Sequence, residues 1–302
     1  KKKLASIETD DSLVGRIFEM RKTLILKKIE LIQSIGTDML TEYSLRFYGK
    51  PKPKEKKFAL KWIKLDYEEM EKTIAAEKAA EYLLGILRKF KLYDWKVTLD
   101  NNLSSDALIV TKTKEIILRE KAVFSKEQVE RLSIHEIQSH AFRHLNGLRQ
   151  ELKIFAAGIS EEAEKTDEGL AVANEELFGL LSNNQKKIYA ARLLAADYAL
   201  EHSFYETFKY LTRYLKPETA YKITQRVKRG LIDTSKKGAF TKDIIYLRGF
   251  LEVKKFLEHG GKLEDLYIGK VSIEELKIAP KMCKLKKPIY LPNYQKANKI
   301  IF

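Results

Sequence analysis

The sequence predicts a predominantly helical α+β protein, with a small antiparallel sheet placed just before a histidine-bearing helix. Three observations carry that reading. Apolar residues recur at helical spacing over most of the 302 residues, a short β-prone stretch interrupts them between 95 and 118, and three of the five histidines fall within ten positions on the helix that follows.

Taken in order, Leu13, Ile17, Met20, Leu24, Leu31 and Ile35 mark an amphipathic helix over 11–35, with Asp11 or Ser12 as its cap. The segment from Tyr48 to Lys57 holds Gly49, Pro51, Pro53 and five lysines, which predicts a solvated loop. It divides an N-terminal helical arm and lysine-rich loop, 1–57, from a main domain, 58–302. A second helix is expected over 67–91. Trp95–Leu99, Ala107–Val110 and Glu115–Leu118 then read as antiparallel strands joined by turns at Asn101-Asn102 and Thr113-Lys114. Ser125-Lys-Glu-Gln128 forms a capping box for the next helix, whose apolar stripe is Val129, Leu132, Ile134 and Ile137. Helical patterns return at 168–182, 185–214, 217–229 and 241–259, punctuated by Gly230, Gly238 and Gly260-Gly261.

Composition excludes several classes. Fifty-seven Lys and Arg against 42 Asp and Glu leave a formal charge of +15, a field that attracts acidic partners. The basic residues are interleaved with glutamates along helices, and no helix-turn-helix or RNA-binding signature accompanies them, so a nucleic-acid binder has only the charge behind it. The single cysteine, Cys283, permits no intramolecular disulfide and no cysteine-rich zinc knuckle, and suits a reducing compartment. No stretch approaches the roughly 18 apolar residues of a membrane span, and Lys1-Lys2-Lys3 leads into no signal-like run. A cytoplasmic protein without membrane contact is expected.

The chemistry sits at His135, Glu136, His140 and His144. Neutral imidazoles are the usual nitrogen ligands of Zn²⁺, and a catalytic site uses three protein ligands with a fourth position open. His135-Glu136-Ile137-Gln138-Ser139-His140 is an HExxH arrangement with one residue inserted. At about 100° per residue, positions five apart diverge by about 140°, so this pair converges only if the helix is widened by a π-type turn. A regular helix would instead pair His140 with His144. Two features favour the first pair: Glu136 stands where a general base is needed, and Thr166-Asp-Glu-Gly-Leu-Ala171 offers Glu168, a carboxylate before a glycine at an expected helix start.

HEIQSHAFRHLN at 135–146, TDEGLA at 166–171 and KRGLIDTSKKGAFTKDIIYLRG at 228–249 resemble the tyrosine carboxypeptidases that remove the C-terminal tyrosine of α-tubulin, and their prokaryotic relatives named for a QEGLA motif. The resemblance runs over about 48–275. It implies a zincin-like core with helical additions, one Zn²⁺ per chain held by His135, His140 and Glu168, and Glu136 as the carboxylate that activates the attacking water. Asp167 stands where relatives often carry Glu or Gln and receives no role. The implied activity is a zinc metallocarboxypeptidase acting on a peptide or protein C-terminal tail, with an acidic tail suggested by the charge. Arg143, Arg229 and Arg248 are candidates to hold the terminal carboxylate, because a guanidinium fork matches two oxygens. Tyr246 is a candidate oxyanion donor. His144, His202 and His259 read as packed or exposed. A zinc endopeptidase or aminopeptidase is the alternative, and a basic helical binding protein for nucleic acid or filaments is a further one.

Overall fold

The computed structural model describes residues 1–103 and 105–293. The first elements are α1 (Lys2–Ala5), α2 (Leu13–Gln33), α3 (Leu40–Tyr48), α4 (Pro53–Trp62), β1 (Ile74–Ala75) and α5 (Ala76–Lys89). The strands β2 (Lys96–Asp100), β3 (Ala107–Val110), β4 (Glu115–Arg119) and β5 (Val123–Phe124) follow. Helix α6 (Lys126–Leu132) runs directly into a π-helical segment, Ser133–Ala141, and on into α7 (Phe142–Arg149). The rest comprises α8 (Glu161–Leu177), α9 (Asn183–Ala199), α10 (Phe204–Leu211), α11 (Pro217–Lys228), α12 (Ile244–Glu258) and α13 (Ala279–Met282). The class is therefore the predominantly helical α+β one, and among the described residues no helix is long and apolar enough to cross a membrane.

The chain divides into two compact units, each assembled from separate stretches: 1–67 with 158–169 and 182–252, and 68–157 with 170–181 and the chain from 253 onward. Residue 57, where the lysine-rich loop was expected to end, lies inside α4.

In the first unit, Ser12 caps α2 by accepting from the Gly15 amide at 2.9 Å. Leu24, Leu31, Leu40 and Phe47 form a buried cluster with Tyr43, Tyr48, Leu231 and Phe240 packed on it. The solvated loop expected over 48–57 shrinks to 49–52, because Pro53 occupies the first turn of α4, where its missing N–H is not needed. Glu55 accepts from the Lys52 amide at 2.8 Å and takes Arg248 Nε at 2.8 Å and Nη2 at 3.0 Å, while Arg248 also donates to the carbonyls of Tyr48 and Lys50. The single helix expected over 185–214 is two, since Ser203 and Glu206 form a capping box that starts α10 afresh. The helix expected from 168 begins seven residues earlier, at Glu161, so Glu168 lies within it. The glycine after Glu168 has its own reason: a Cβ on Gly169 would lie 2.1 Å from the carbonyl carbon of Gly249, so α8 and α12 cross where both lack side chains.

In the second unit, the helix expected from 67 starts only at Ala76, because Ile74 and Ala75 pair with Phe124 and Val123 instead. The three-stranded sheet has the order β2-β4-β3. The β3–β4 hairpin is antiparallel as expected, but β2 joins the other edge of β4 in parallel, so the sheet is mixed. Central placement explains why Ile116 and Leu118 of β4 are fully buried. Ser125 and Gln128 exchange the two hydrogen bonds of a capping box, and Val129, Leu132, Ile134 and Ile137 are all buried.

Replacing Glu55 by Ala leaves the Arg248 guanidinium buried without its carboxylate. It should lower stability by about 3–5 kcal/mol in urea unfolding, with Glu55→Gln costing less.

Candidate functional site

The five-residue spacing of His135 and His140 is accommodated as its geometry demands. Residues Ser133–Ala141 form a continuous π-helical segment, in which hydrogen bonds span five residues and positions i and i+5 stack as i and i+4 do in an α-helix. At its end the Phe142 amide reaches back to the Ile137 carbonyl. His135 and His140 are both buried, with ring centroids 5.0 Å apart. Glu136, next to His135, is buried too.

His135, His140 and Glu168 each present a ligand atom within 4.8 Å of the others. Helix α8, which carries Glu168, is held to the histidine segment by its own second half: Glu175 Oε1 lies 2.7 Å from His135 Nδ1, and Asn174 donates to Ser139 Oγ at 2.7 Å. Occupation of Nδ1 by a fully buried carboxylate leaves Nε2 of His135 as the outward-facing nitrogen. Two imidazole nitrogens and one carboxylate oxygen match the donor set of a catalytic Zn²⁺ site. His140 is grouped with His135 and Glu168 and not with the rival His144, whose Nδ1 lies 2.9 Å from the Ala156 carbonyl.

Around Glu168 the first unit gathers a cationic cluster. Asp243, buried on the 3₁₀ turn before α12, is held bidentately by Arg226 at 2.6 and 2.9 Å, with Arg192 at 4.0 Å and Arg229 at 3.7 Å. Burial alone would raise the Asp243 carboxyl, but these three guanidiniums, led by Arg226, hold it well below the usual carboxylate range. Tyr246 stacks on Tyr189 at 5.6 Å under the Arg192 guanidinium, 5.0 Å from its ring centroid. Burial, with the negative charge of Glu168, pushes its phenol above the ordinary value, so it stays a hydroxyl donor at neutral pH.

The three candidate arginines separate. Arg143 is fully buried and donates through Nε to the carbonyls of Leu266 and Gly269 and through Nη2 to Val271, which makes it a backbone clamp and removes it as a carboxylate holder. Arg248 is consumed by Glu55 and two carbonyls, and is removed for the same reason. Arg229 is left, with 37% of its side chain exposed and its guanidinium over the Phe240 ring at 4.7 Å. His202 stacks on Tyr198, and His259 is exposed.

Sequence reading missed Glu175, Asn174, Arg192, Arg226 and Asp243. A signal existed for one: Glu175 lies seven residues after Glu168, two helical turns, so the two carboxylates share one face of α8. For Arg192, Arg226 and Asp243, on three separate elements, no spacing announces convergence.

A family model described as microtubule-associated tyrosine carboxypeptidase matches residues 1–300, including the first forty, which the motifs above leave uncovered. The mouse protein MATCAP2 is 35% identical over 147 residues, 47% of this chain and 28% of that one. Microtubule-associated tyrosine carboxypeptidase 1 is 30% identical in mouse and 29% in human, each over 190 residues, 60% of this chain and 39% of theirs. The match thus spans well under half the length of these curated relatives.

Because the folded pKa of Asp243 lies below its unfolded value of about 3.9, the contribution of the cluster is present above that pH and is lost as acid protonates the carboxyl. Asp243→Asn should therefore be less stable than the wild type at neutral pH, with the gap closing below about pH 4 in urea titrations at stepped pH.

Proposed function

The chain belongs to the microtubule-associated tyrosine carboxypeptidase family, and from that premise we propose that it is a zinc-dependent carboxypeptidase that releases the last residue of a protein tail. The observation that carries the reading is the convergence of His135, His140 and Glu168 on one point, reached through a π-helical segment, with Glu136 beside the first histidine.

His135, His140 and Glu168 would hold Zn²⁺, which when bound would supply a Lewis acid for the scissile carbonyl. The Glu136 carboxylate takes a proton from the attacking water as its oxygen bonds to the carbonyl carbon. It returns that proton to the amine nitrogen when the C–N bond breaks. Tyr246 donates its hydroxyl to the oxygen on which negative charge gathers. Arg229, half-buried at the edge of the cationic cluster, pairs with the terminal carboxylate and distinguishes a chain end from an internal bond. Arg226, whose fork is spent on Asp243, and Arg192, whose guanidinium lies over the Tyr246 ring 4.0 Å from Asp243, hold that region positive.

This charge arrangement favours the exopeptidase over an endopeptidase or aminopeptidase, since a cationic anchor in the same unit as Glu168 and Tyr246 has no use against a neutral internal peptide. The formal charge of +15 favours tails rich in acidic residues. The relatives named for microtubule association point to a cytoplasmic protein tail as substrate.

Elemental analysis should find about one zinc per chain, and mass spectrometry of a peptide library should show single C-terminal residues removed. Glu136→Gln should retain the zinc and trim about 10²- to 10⁴-fold more slowly. A wild-type protein that binds no zinc, or trims nothing, would sink the reading. Arg229→Ala should lower kcat/KM about 10- to 100-fold on peptides with a free terminal carboxylate. C-terminally amidated peptides should be cut equally poorly by both forms.

A further inference from the structure

The π-helical segment poses a question that the metal ligands themselves do not answer. π-helical turns are rare and mostly single, so a nine-residue stretch in this register calls for surroundings that hold it open. Here the surroundings are specific. Asn174, fully buried on α8, donates one amide hydrogen to Ser139 Oγ and the other to the Tyr267 hydroxyl, both at 2.7 Å. Each hydroxyl passes its own hydrogen to a backbone carbonyl of the π segment: Ser139 to Ile134 at 2.9 Å, five residues back, and Tyr267 to Gln138 at 2.8 Å. Ser139 and Tyr267 are fully buried as well, and all of these residues belong to the second unit.

The next residue on α8 completes the arrangement. Glu175 accepts from Arg131 Nη1 at 2.8 Å and faces His135 Nδ1 at 2.7 Å with the same oxygen. Arg131 and His135 stand four residues apart, so one carboxylate receives two groups from the same helix face.

We propose that Asn174 and Glu175 are positioning residues for the histidine pair, acting in two ways from adjacent places on one helix. Glu175 fixes the tautomer and ring plane of His135. Asn174, through Ser139 and Tyr267, locks the five-residue turn that returns His140 to the same side. The proposal rests on the zinc reading above and extends it: the unusual histidine spacing is usable only because a buried network outside the ligand set holds the backbone in register.

The test is zinc affinity, measured by competition with a chromophoric chelator on purified wild type, Tyr267→Phe, Ser139→Ala and Glu175→Gln, with Glu55→Gln, in the first unit, as a destabilised control. Tyr267→Phe, Ser139→Ala and Glu175→Gln should each weaken zinc binding about 10- to 100-fold relative to the wild type while far-UV circular dichroism stays unchanged. Glu55→Gln should lose stability without losing affinity. Tyr267→Phe guards against misfolding, because it removes one oxygen and keeps the ring. In the metal-free wild type, ¹⁵N imidazole shifts should show His135 protonated at Nδ1, and Glu175→Gln should mix its tautomers. If wild type binds zinc and the network variants bind it equally tightly, the positioning role is overturned while the zinc reading stands. If the wild type binds no zinc, both fall.

Discussion

Two imidazoles five residues apart on a helix point about 140° from each other, and everything at this site follows from undoing that divergence. The chain does so by spreading a π-helical register over Ser133–Ala141 instead of bending the helix or recruiting a more distant histidine. Carbonyls within the widened stretch are met by side-chain hydroxyls from Ser139 and Tyr267. A buried polar network of this kind is favourable only when each member is satisfied, and Asn174 satisfies two by spending both hydrogens of its amide.

Helix α8 shows how one element serves several purposes through its period. Glu168 and Glu175, seven residues apart, share a face: the first converges with His135 and His140, and the second grips His135 from its other nitrogen. Gly169 lets the helix approach Gly249 to a separation that no Cβ would permit. Glu161 and Glu164 meanwhile pair with Lys27 and Lys28 of α2, and Glu164 also meets Lys242. A helix this heavily constrained tolerates little rotation, which suits an element that delivers a carboxylate to a shared point.

Electrostatics in the first unit follow a consistent rule despite the chain's excess of positive charge. Three of its carboxylates are matched by cations: buried Glu55 by Arg248, half-buried Glu164 by Lys28 and Lys242, and buried Asp243 by Arg226, Arg192 and Arg229. Around Asp243 the match is uneven, three guanidiniums to one carboxylate, and the surplus lies beside Tyr246. A terminal carboxylate would restore the balance there, which is the electrostatic basis for assigning Arg229 to it.

The sequence by itself determined the parts whose physics is local. The capping box at Ser125 and the cap at Ser12 depend on residues three apart, and the expected widening of the His135–His140 turn depends only on helical period. The identity of Glu168 as the third member came from its motif, although its place within α8 was read one turn or more too late, since the capping side of that helix carries no apolar signal. What only the tertiary structure decided were the partners of charged side chains. Arg143, Arg229 and Arg248 are indistinguishable as letters, and their fates diverge because a guanidinium pairs with whichever groups the fold brings within reach: backbone carbonyls near 266–271 for Arg143, Glu55 for Arg248, and Asp243 with the Phe240 ring for half-exposed Arg229. The parallel docking of β2 on β4 was decided the same way, because a strand's edge partner is set by long-range packing and leaves no trace in its own alternation of residues.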